Sequence, residues 1–289
     1  MGRSAVGALS VADGAVTLLA IESATDMVGV GLISQDGGAA ERLHFGGRAH
    51  AELLVPAIEE VCAVSGCTVA DIDRIAVDIG PGLFTGLRVG VATAKALGQA
   101  LGVKLVGVSS LDVLAAGAAE ASGSGLAQPV VSVVDARRGE VFAAAYRFDR
   151  PDGKAGQPFS EEDPIDPAAV RDERLEPMSP ETLVAWLLEL GGEADRVLVV
   201  GDGAIRYRQL LSVHPGLDLS LASDLSAPPP LALARLAQSR LARGIAPVAP
   251  EAVVPDYRRA ADARINWEQR PPRSSDEQGT LDEHGTSPT

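Results

Sequence analysis

Short apolar runs separated by polar segments occupy the first part of the chain. Residues 16–21 and 28–33 are rich in valine, leucine and isoleucine and enclose the polar segment 22–27, which predicts a β-hairpin. The Asp-Gly-Gly sequence at 36–38 is typical of a turn, and residues 39–45 are predicted to form a third strand. The ordered part of the chain is therefore expected to begin as an antiparallel meander.

Helical spacing of apolar residues appears next, in two segments. Over residues 49–65 the apolar side chains recur every three or four positions with glutamates between them, which predicts an amphipathic helix kinked at Pro56. An apolar strand is predicted at 72–78. It leads through the glycine-rich turn 80–86 into a second helix, predicted over residues 85–101.

Strand and helix patterns continue to alternate in the second half. Residues 151–180 are rich in proline, aspartate and glutamate and are predicted to form an extended loop. Residues 1–15 are predicted to be flexible and the tail from about residue 271 to be disordered, because both lack an apolar pattern. Further strands are predicted at 103–108, 130–135, 140–148 and 196–200, and further helices at 109–120, 180–190 and 231–243.

The opening pattern recurs in the middle of the chain. An apolar strand ending in an acid, a polar turn and an antiparallel strand occur first around Glu22 and again around Asp135, which indicates an internal duplication. Two similar α/β subdomains with mixed sheets would then face each other across a cleft. We expect the first subdomain at residues 16–105, the second at 106–250, and a C-terminal segment at 251–289.

Charge and composition argue against several classes of protein: nucleic-acid-binding, disulfide-stabilised, zinc-binding and membrane-spanning. The 25 Lys and Arg residues against 39 Asp and Glu residues give a net charge of −14, which repels a phosphate backbone. Two cysteines are too few for a disulfide framework or a four-thiolate zinc site, and no apolar run has the length of a membrane helix. We therefore expect a cytoplasmic protein without membrane contact and with a poor surface for nucleic acid.

The sharpest local feature is the glycine-rich turn at residues 80–86. It follows a strand and opens a helix, so its backbone N–H groups and the helix dipole could hold an anion. It has neither the Gly-Lys-Ser/Thr of a phosphate-binding loop nor the spacing of a dinucleotide fingerprint, and a tight turn without a ligand explains it equally well. The candidate nucleotide- or anion-binding residues are Glu22, Gly80, Gly82, Thr85 and Asp135.

Small residues recur every four positions along the second helix and form one narrow face. Because each interior glycine costs about 1 kcal/mol relative to alanine, such a face is explained by a backbone that packs unusually close. That backbone belongs either to the protein's own sheet or first helix, or to the same surface of a second chain. The residues of this face are Gly86, Gly90, Ala94, Gly98 and Gly102.

The histidine pattern gives no indication of a metal site. None of the four histidines pairs with another at a spacing of three or four residues, and each is expected to be a surface or capping residue. We expect no metal site in this chain.

Several motifs together resemble one family. The most specific is Gly-Pro-Gly-Leu-Phe-Thr-Gly-Leu-Arg-Val-Gly at residues 80–90. Leu-Ala-Ile-Glu-Ser-Ala-Thr at 19–25, Gly-Val-Ser-Ser-Leu at 107–111 and Asp-Ala-Arg-Arg-Gly-Glu-Val at 135–141 accompany it in the family's order. Together they are similar to the TsaB family of tRNA threonylcarbamoyladenosine biosynthesis proteins, most strongly over residues 17–148.

The resemblance implies a duplicated actin/Hsp70-like, ribonuclease H-like fold and a non-catalytic role. Such a protein would support the catalytic paralog TsaD, with the ATPase TsaE, in placing threonylcarbamoyl on adenosine 37 of tRNA. ATP and metal are then expected on the partners and not on this chain, and tRNA is reached through the complex. The metal-binding histidines of the paralog would fall at Ser110 and Leu114, which are a poor ligand and no ligand, so an inactive paralog is implied.

We interpret the predicted helices 49–65 and 85–101 as the interface with the catalytic paralog, and with a second copy when the chain is alone. The apolar face of the first helix and the small-residue face of the second motivate this hypothesis. The alternative is an ATP-binding enzyme of the actin-like ATPase and sugar-kinase superfamily, which would use the candidate anion-binding residues. The predicted interface residues are Leu53, Leu54, Ala57, Ile58, Val61, Phe84, Leu87, Gly90, Val91, Ala94 and Gly98.

Overall fold

The computed structural model describes residues 16–46, 49–122, 126, 128–148, 170–191 and 196–258. The predicted flexible start at 1–15 and the predicted disordered end from 271 lie outside the described residues. The strands are β1 (Leu18–Glu22), β2 (Met27–Ile33), β3 (Ala39–Phe45), β4 (Arg74–Gly80), β5 (Lys104–Ser109), β6 (Val130–Arg137), β7 (Glu140–Arg147), β8 (Val170–Met178), β9 (Val197–Val200) and β10 (Leu217–Asp218). The helices are α1 (His50–Val64), α2 (Phe84–Leu101), α3 (Ser110–Ser122), α4 (Pro180–Gly191), α5 (Asp202–Arg206), α6 (Arg208–Leu211) and α7 (Pro230–Ala242). None of the helices in the described ranges is both long and apolar enough to cross a membrane.

The strands form two five-stranded mixed sheets of the same topology. The first has the order β3-β2-β1-β4-β5 and the second the order β8-β7-β6-β9-β10. In each sheet the first two strands of the half pair antiparallel, as predicted, and the fourth lies parallel beside the first. This repetition confirms the predicted duplicated α/β fold of the actin/Hsp70-like type.

The prediction of an extended loop over residues 151–180 is wrong at its end, because β8 lies there. This strand pairs antiparallel with β7 and carries arginines, acids and a proline instead of an apolar run. Its position at the outer edge of the second sheet explains the composition, since an edge strand is held by backbone pairing on one side and tolerates charge and proline. The short helices α5 and α6 and the two-residue β10 were not predicted either.

Helices cover both faces of the first sheet. Leu19 and Ile21 point to the face on which α1 and α2 pack, with Leu54 and Ile58 of α1 in the same apolar cluster. The alternate residues of β1 point to the opposite face and pack against α3 and α7. This two-sided burial explains why the strands are apolar without interruption instead of alternating with polar residues.

Helix α3 is shared by the two sheets. Val113 and Ala116 pack against the first sheet, whereas Leu111 and Leu114 pack against the second. All ten residues from 110 to 119 are buried, which explains why this helix is built from small and apolar residues on every side. The first sheet extends to the end of β5 at Ser109, so the boundary predicted between residues 105 and 106 falls inside a strand.

Candidate functional site

The candidate site lies at one edge of the two sheets, where strands end and helices begin. In the first sheet β1 ends at Glu22. In the second sheet β6 carries Asp135, and α5 begins at Asp202 directly after β9. Arg137, at the end of β6, pairs with Asp26, which follows β1, so the two halves of the duplication meet at this edge.

Glu22 and Asp78 are the two acids at the centre of this edge, and we call them the carboxyl pair. The register of the parallel strands β1 and β4 places Ile21 beside Val77, so the two acids that follow are neighbours. Both are 0 % exposed. Oε1 of Glu22 accepts a hydrogen bond from the backbone N–H of Ala24 at 2.8 Å.

Asp78 is held from two sides by hydrogen-bond donors. Its Oδ1 accepts the backbone N–H of Gly80 at 2.7 Å and the hydroxyl of Ser110 at 2.6 Å. Burial, together with the charge of Asp78, raises the pKa of Glu22 well above its usual range. Burial also raises the pKa of Asp78, against the hydrogen bonds from Ser110 and Gly80, which lower it. Burial and the neighbouring carboxyl group thus disfavour ionisation of Glu22, whereas the donors of Ser110 and Gly80 favour the ionised form of Asp78.

The glycine-rich turn is closed against the loop between β1 and β2. A Cβ on Gly82 would lie 2.2 Å from the carbonyl oxygen of Ala24, and one on Gly86 would lie 2.0 Å from that of Ser23. The N–H of Leu83 donates to the Ala24 carbonyl at 2.6 Å, and the Ser23 hydroxyl donates to the Gly86 carbonyl at 2.9 Å. The glycines of the turn are thus required by close backbone contact within the chain.

The small face of α2 packs on the protein's own backbone and side chains. A Cβ on Gly90 would lie 2.1 Å from the hydroxyl oxygen of Ser23. Further along, a Cβ on Gly98 would lie 2.5 Å from Leu105 and 2.9 Å from Pro250. Of the two explanations for the small-residue stripe, the structure supports the internal one.

Asp135 lies in an ion-pair network that joins the two halves. Its backbone N–H donates to Asp202 at 2.8 Å, and its carboxylate binds Arg137 and Arg206, each at 3.2 Å. Arg137 also reaches Asp26, in the loop between β1 and β2, at 3.1 Å. Burial raises the pKa of Asp202 to about 6. Among the candidate anion-binding residues, Asp135 is thus engaged by two guanidinium groups of its own chain.

The two positions at which the resemblance would place the histidines of the catalytic paralog, 110 and 114, lie on α3. Ser110 bonds to the carboxyl pair, and Leu114 is 0 % exposed against the second sheet. Between them, Asp112 accepts the hydroxyl of Tyr146 at 2.8 Å and the guanidinium of Arg240 at 2.6 Å. Within the part of the chain that the structure describes, no group of three or more His, Cys, Asp or Glu residues could hold a metal ion.

The structure places most of the predicted interface residues in the protein's own core. Leu53 and Phe84 are half-buried, and Phe84 packs against the ring of Tyr257 with centroids 5.1 Å apart. Thr85, a candidate anion-binding residue, is exposed on the first turn of α2. The apolar faces of α1 and α2 pack on the chain's own sheet, so the residues that face solvent are those between the apolar positions. The buried members are Leu54, Ala57, Ile58, Val61, Leu87, Gly90, Val91, Ala94 and Gly98.

Reasoning from the sequence did not single out Asp78, Asp112, Asp202 or Arg137. A signal existed for Asp78, which is the one acid inside the apolar run Ile75–Ile79. Asp202 lies between two glycines at the end of an apolar run, which is a comparable signal. Arg137 became visible only in three dimensions, because its partner Asp26 is 111 residues away in the sequence.

Comparison with protein families and relatives agrees with this architecture. The model of the family TsaD, tRNA N6-adenosine threonylcarbamoyltransferase, matches residues 41–267. An uncharacterized protein of Mycobacterium tuberculosis is 42 % identical over 132 residues, which cover 45 % of this chain and 59 % of that protein. The chain thus spans less than two thirds of the length of this relative.

Two curated relatives and one solved structure extend the match. The tRNA threonylcarbamoyladenosine biosynthesis protein TsaB of Bacillus subtilis is 29 % identical over 258 residues, covering 87 % of this chain and 98 % of that protein. TsaB of Escherichia coli is 35 % identical over 132 residues, covering 46 % of this chain and 55 % of that protein. YeaZ from Pseudomonas aeruginosa superposes with a TM-score of 0.60 at 26 % identity, covering 83 % of this chain and 98 % of that one. The chain therefore belongs to the TsaD family, in which it groups with the TsaB proteins.

Proposed function

We propose that this chain is a non-catalytic subunit of the machinery that forms threonylcarbamoyladenosine at adenosine 37 of tRNA. It acts by binding a TsaD-type catalytic subunit together with TsaE. Family membership and similarity to the TsaB proteins of two bacteria support this role. In this proposal ATP and metal are held by the partners, tRNA is reached through the complex, and the place of action is the cytoplasm.

The observation that carries the proposal is that, at the two positions where the catalytic paralog would have histidines, this chain has residues that hold its own fold together. Ser110 donates its hydroxyl to Asp78 at 2.6 Å, and Leu114 is fully buried against the second sheet. Both side chains are committed to the packing of α3, and neither supplies an imidazole. The chain thus has the fold of the family, but these two positions stabilise that fold and offer no metal ligand. This favours a role in binding a partner over a role in catalysis.

The outer face of α1 and α2 is the surface that fits such a partner. Val55 is 51 % exposed, although the other side of α1 fills the core. On the adjacent α2, Ala92 and Ala96 are exposed one turn apart. Small and branched apolar residues let a second helix pair approach closely, and a stable interface of this kind buries about 800 Å² per partner. The same face would pair two copies in the absence of TsaD.

A charge at Val55, on this face, is expected to weaken partner binding. Val55→Glu should lower the affinity for the TsaD protein of the same organism by about tenfold or more, because binding would strand a carboxylate in an apolar seam. Affinity is measured by titration of purified TsaD. Formation of threonylcarbamoyladenosine by a mixture with TsaD, TsaE and tRNA should fall in parallel.

The matched control is Leu188→Glu on α4. Leu188 is also an exposed apolar helix residue, 47 % exposed, but it lies on the second sheet away from α1 and α2. We expect it to bind TsaD like the parent. Equal losses in both variants, or none in either, would contradict the placement of the interface.

The alternative of an ATP-binding enzyme has a direct test. Glu22 is fully buried against Asp78, and the turn 80–86 is closed on residues 23 and 24 by backbone contacts, so we expect the isolated chain to bind MgATP with a Kd above about 1 mM. Calorimetry with the purified chain measures this. Saturable binding at one site per chain would favour the enzyme over the scaffold.

A further inference from the structure

Two buried oxygens of the carboxyl pair have no donor among the described residues. Oε2 of Glu22 and Oδ2 of Asp78 are both shielded from solvent and lack a hydrogen-bond partner, whereas the other oxygen of each group is satisfied. Buried polar atoms are nearly always paired, so two unpaired oxygens on neighbouring acids need a common explanation. The register of the parallel strands β1 and β4 makes the two acids neighbours.

We propose that Glu22 and Asp78 share one proton, held between Oε2 of Glu22 and Oδ2 of Asp78, and that this proton fastens β1 to β4 at the edge where the two halves of the fold meet. An ionised carboxylate only accepts hydrogen bonds, so two ionised groups would face each other with no donor between them. One proton converts this contact into an O–H to O⁻ hydrogen bond, which is short and strong. It satisfies both orphaned oxygens at once.

The charges around the carboxyl pair favour retention of the proton. Asp202 acts on Glu22, and Asp112 acts on Asp78; both raise the pKa of the acid that they face. Two guanidinium groups pair with other acids, Arg137 with Asp135 and Asp26 and Arg240 with Asp112, and neither contributes to the pKa of the carboxyl pair. Burial is the largest contribution for both members of the pair. Asp78 accepts hydrogen bonds from Gly80 and Ser110, which stabilise its ionised form, so Glu22 holds the proton and Asp78 accepts it.

The shared proton makes the stability of the fold depend on pH. In the unfolded chain both acids ionise in their usual range, near pH 4, whereas the folded pair keeps one proton. The stabilisation is thus complete at acid pH and is lost as the pH rises until the folded pair gives its proton to solvent. Within that window the folding equilibrium constant falls about tenfold for each pH unit. Asp202, whose pKa is about 6, adds to the slope only at the acid end.

Amide substitutions test the proposal because an amide supplies one permanent donor. In Glu22→Gln the amide oxygen still accepts from Ala24 and the NH₂ group donates to Oδ2 of Asp78; in Asp78→Asn the NH₂ group donates to Oε2 of Glu22. Each single variant should therefore fold and should lose the tenfold-per-pH-unit slope. The double variant places two NH₂ groups against each other and should be less stable than either single variant at every pH. Urea unfolding from about pH 5 to about pH 9 measures all three.

An infrared difference spectrum gives an independent readout. The parent should show the C=O band of a protonated carboxylic acid at neutral pH, and both single variants should lack it. Glu52→Gln, on the exposed side of α1, is the control and should keep the band and the slope. The proposal is overturned if the parent has no such band, if the double variant is as stable as the single ones, or if both single variants fail to fold.

Discussion

Leu54→Glu is expected to abolish folding of the chain rather than its pairing with a partner. Leu54 is 0 % exposed and lies in the cluster between α1 and the first sheet. Removing a buried leucine costs about 2–5 kcal/mol, and burying a carboxylate in its place adds several more. Because a domain of this size has only about 5–15 kcal/mol of stability, most of the variant should be unfolded. Circular dichroism on heating, and the soluble yield, measure the loss.

Val55→Glu is the matched control, since it introduces the same charge at the next position. Val55 is 51 % exposed, so its substitution should shift the melting temperature by no more than a few degrees. Because the two substitutions are at adjacent positions of α1, comparing them distinguishes the effect of burial in the core from the effect of contact with a partner. If Leu54→Glu melted like the parent and still lost TsaD, Leu54 would face a partner and the packing of α1 on the sheet would be incorrect.

The contrast between these two residues shows what the apolar spacing on a helix can predict. A period of three to four residues identifies one face of α1, but it does not say what covers that face. In this chain the protein's own sheet covers it, because β1 and β4 present Leu19 and Val77 to the same side. A helix that packs on a sheet and also binds a partner needs a second surface, and this surface is recognisable only from the exposure of residues such as Val55.

More of the two sheets than of the candidate site could be predicted from the sequence. Strands buried on both faces are continuous apolar runs, so β1, β4, β6 and β9 are recognisable, and the repeated hairpins indicate the duplication. The edge strand β8 could not be recognised in this way, because it pairs only with β7 and needs no apolar run. The carboxyl pair could not be predicted either. Glu22 is recognisable as an acid at a strand end, but its neighbour Asp78 is determined by the register of β1 and β4. Such a pairing of residues 56 positions apart has no local signal.

Gly86→Ala is expected to cost about 3 kcal/mol or more, although alanine is the better helix former by about 1 kcal/mol. The added Cβ would lie 2.0 Å from the backbone carbonyl oxygen of Ser23. Neither side can yield easily, because the loop that carries Ser23 is also fixed by the bond from His50 Nε2 to the Thr25 carbonyl at 2.9 Å. Helix α2 would have to move off β1. Urea unfolding measures the loss, and Gly216→Ala, with no atom within 4 Å of its Cβ, should change stability by less than about 0.5 kcal/mol.

A second substitution distinguishes backbone contact from side-chain contact on the same face. At Gly90 the nearest atom to an added Cβ is the hydroxyl oxygen of Ser23, at 2.1 Å, and not a carbonyl. Ser23→Ala removes that hydroxyl and with it the hydrogen bond to the Gly86 carbonyl, so it has a cost of its own. Measured against Ser23→Ala, Gly90→Ala should therefore cost much less than it does in the parent, while the loss in Gly86→Ala stays unchanged. Equal rescue of both glycine variants would show that α2 can shift freely on β1. Rescue of Gly90→Ala alone would show that the small residues of α2 are needed because the chain's own loop lies beneath them, and that the face left for a partner is the one opposite.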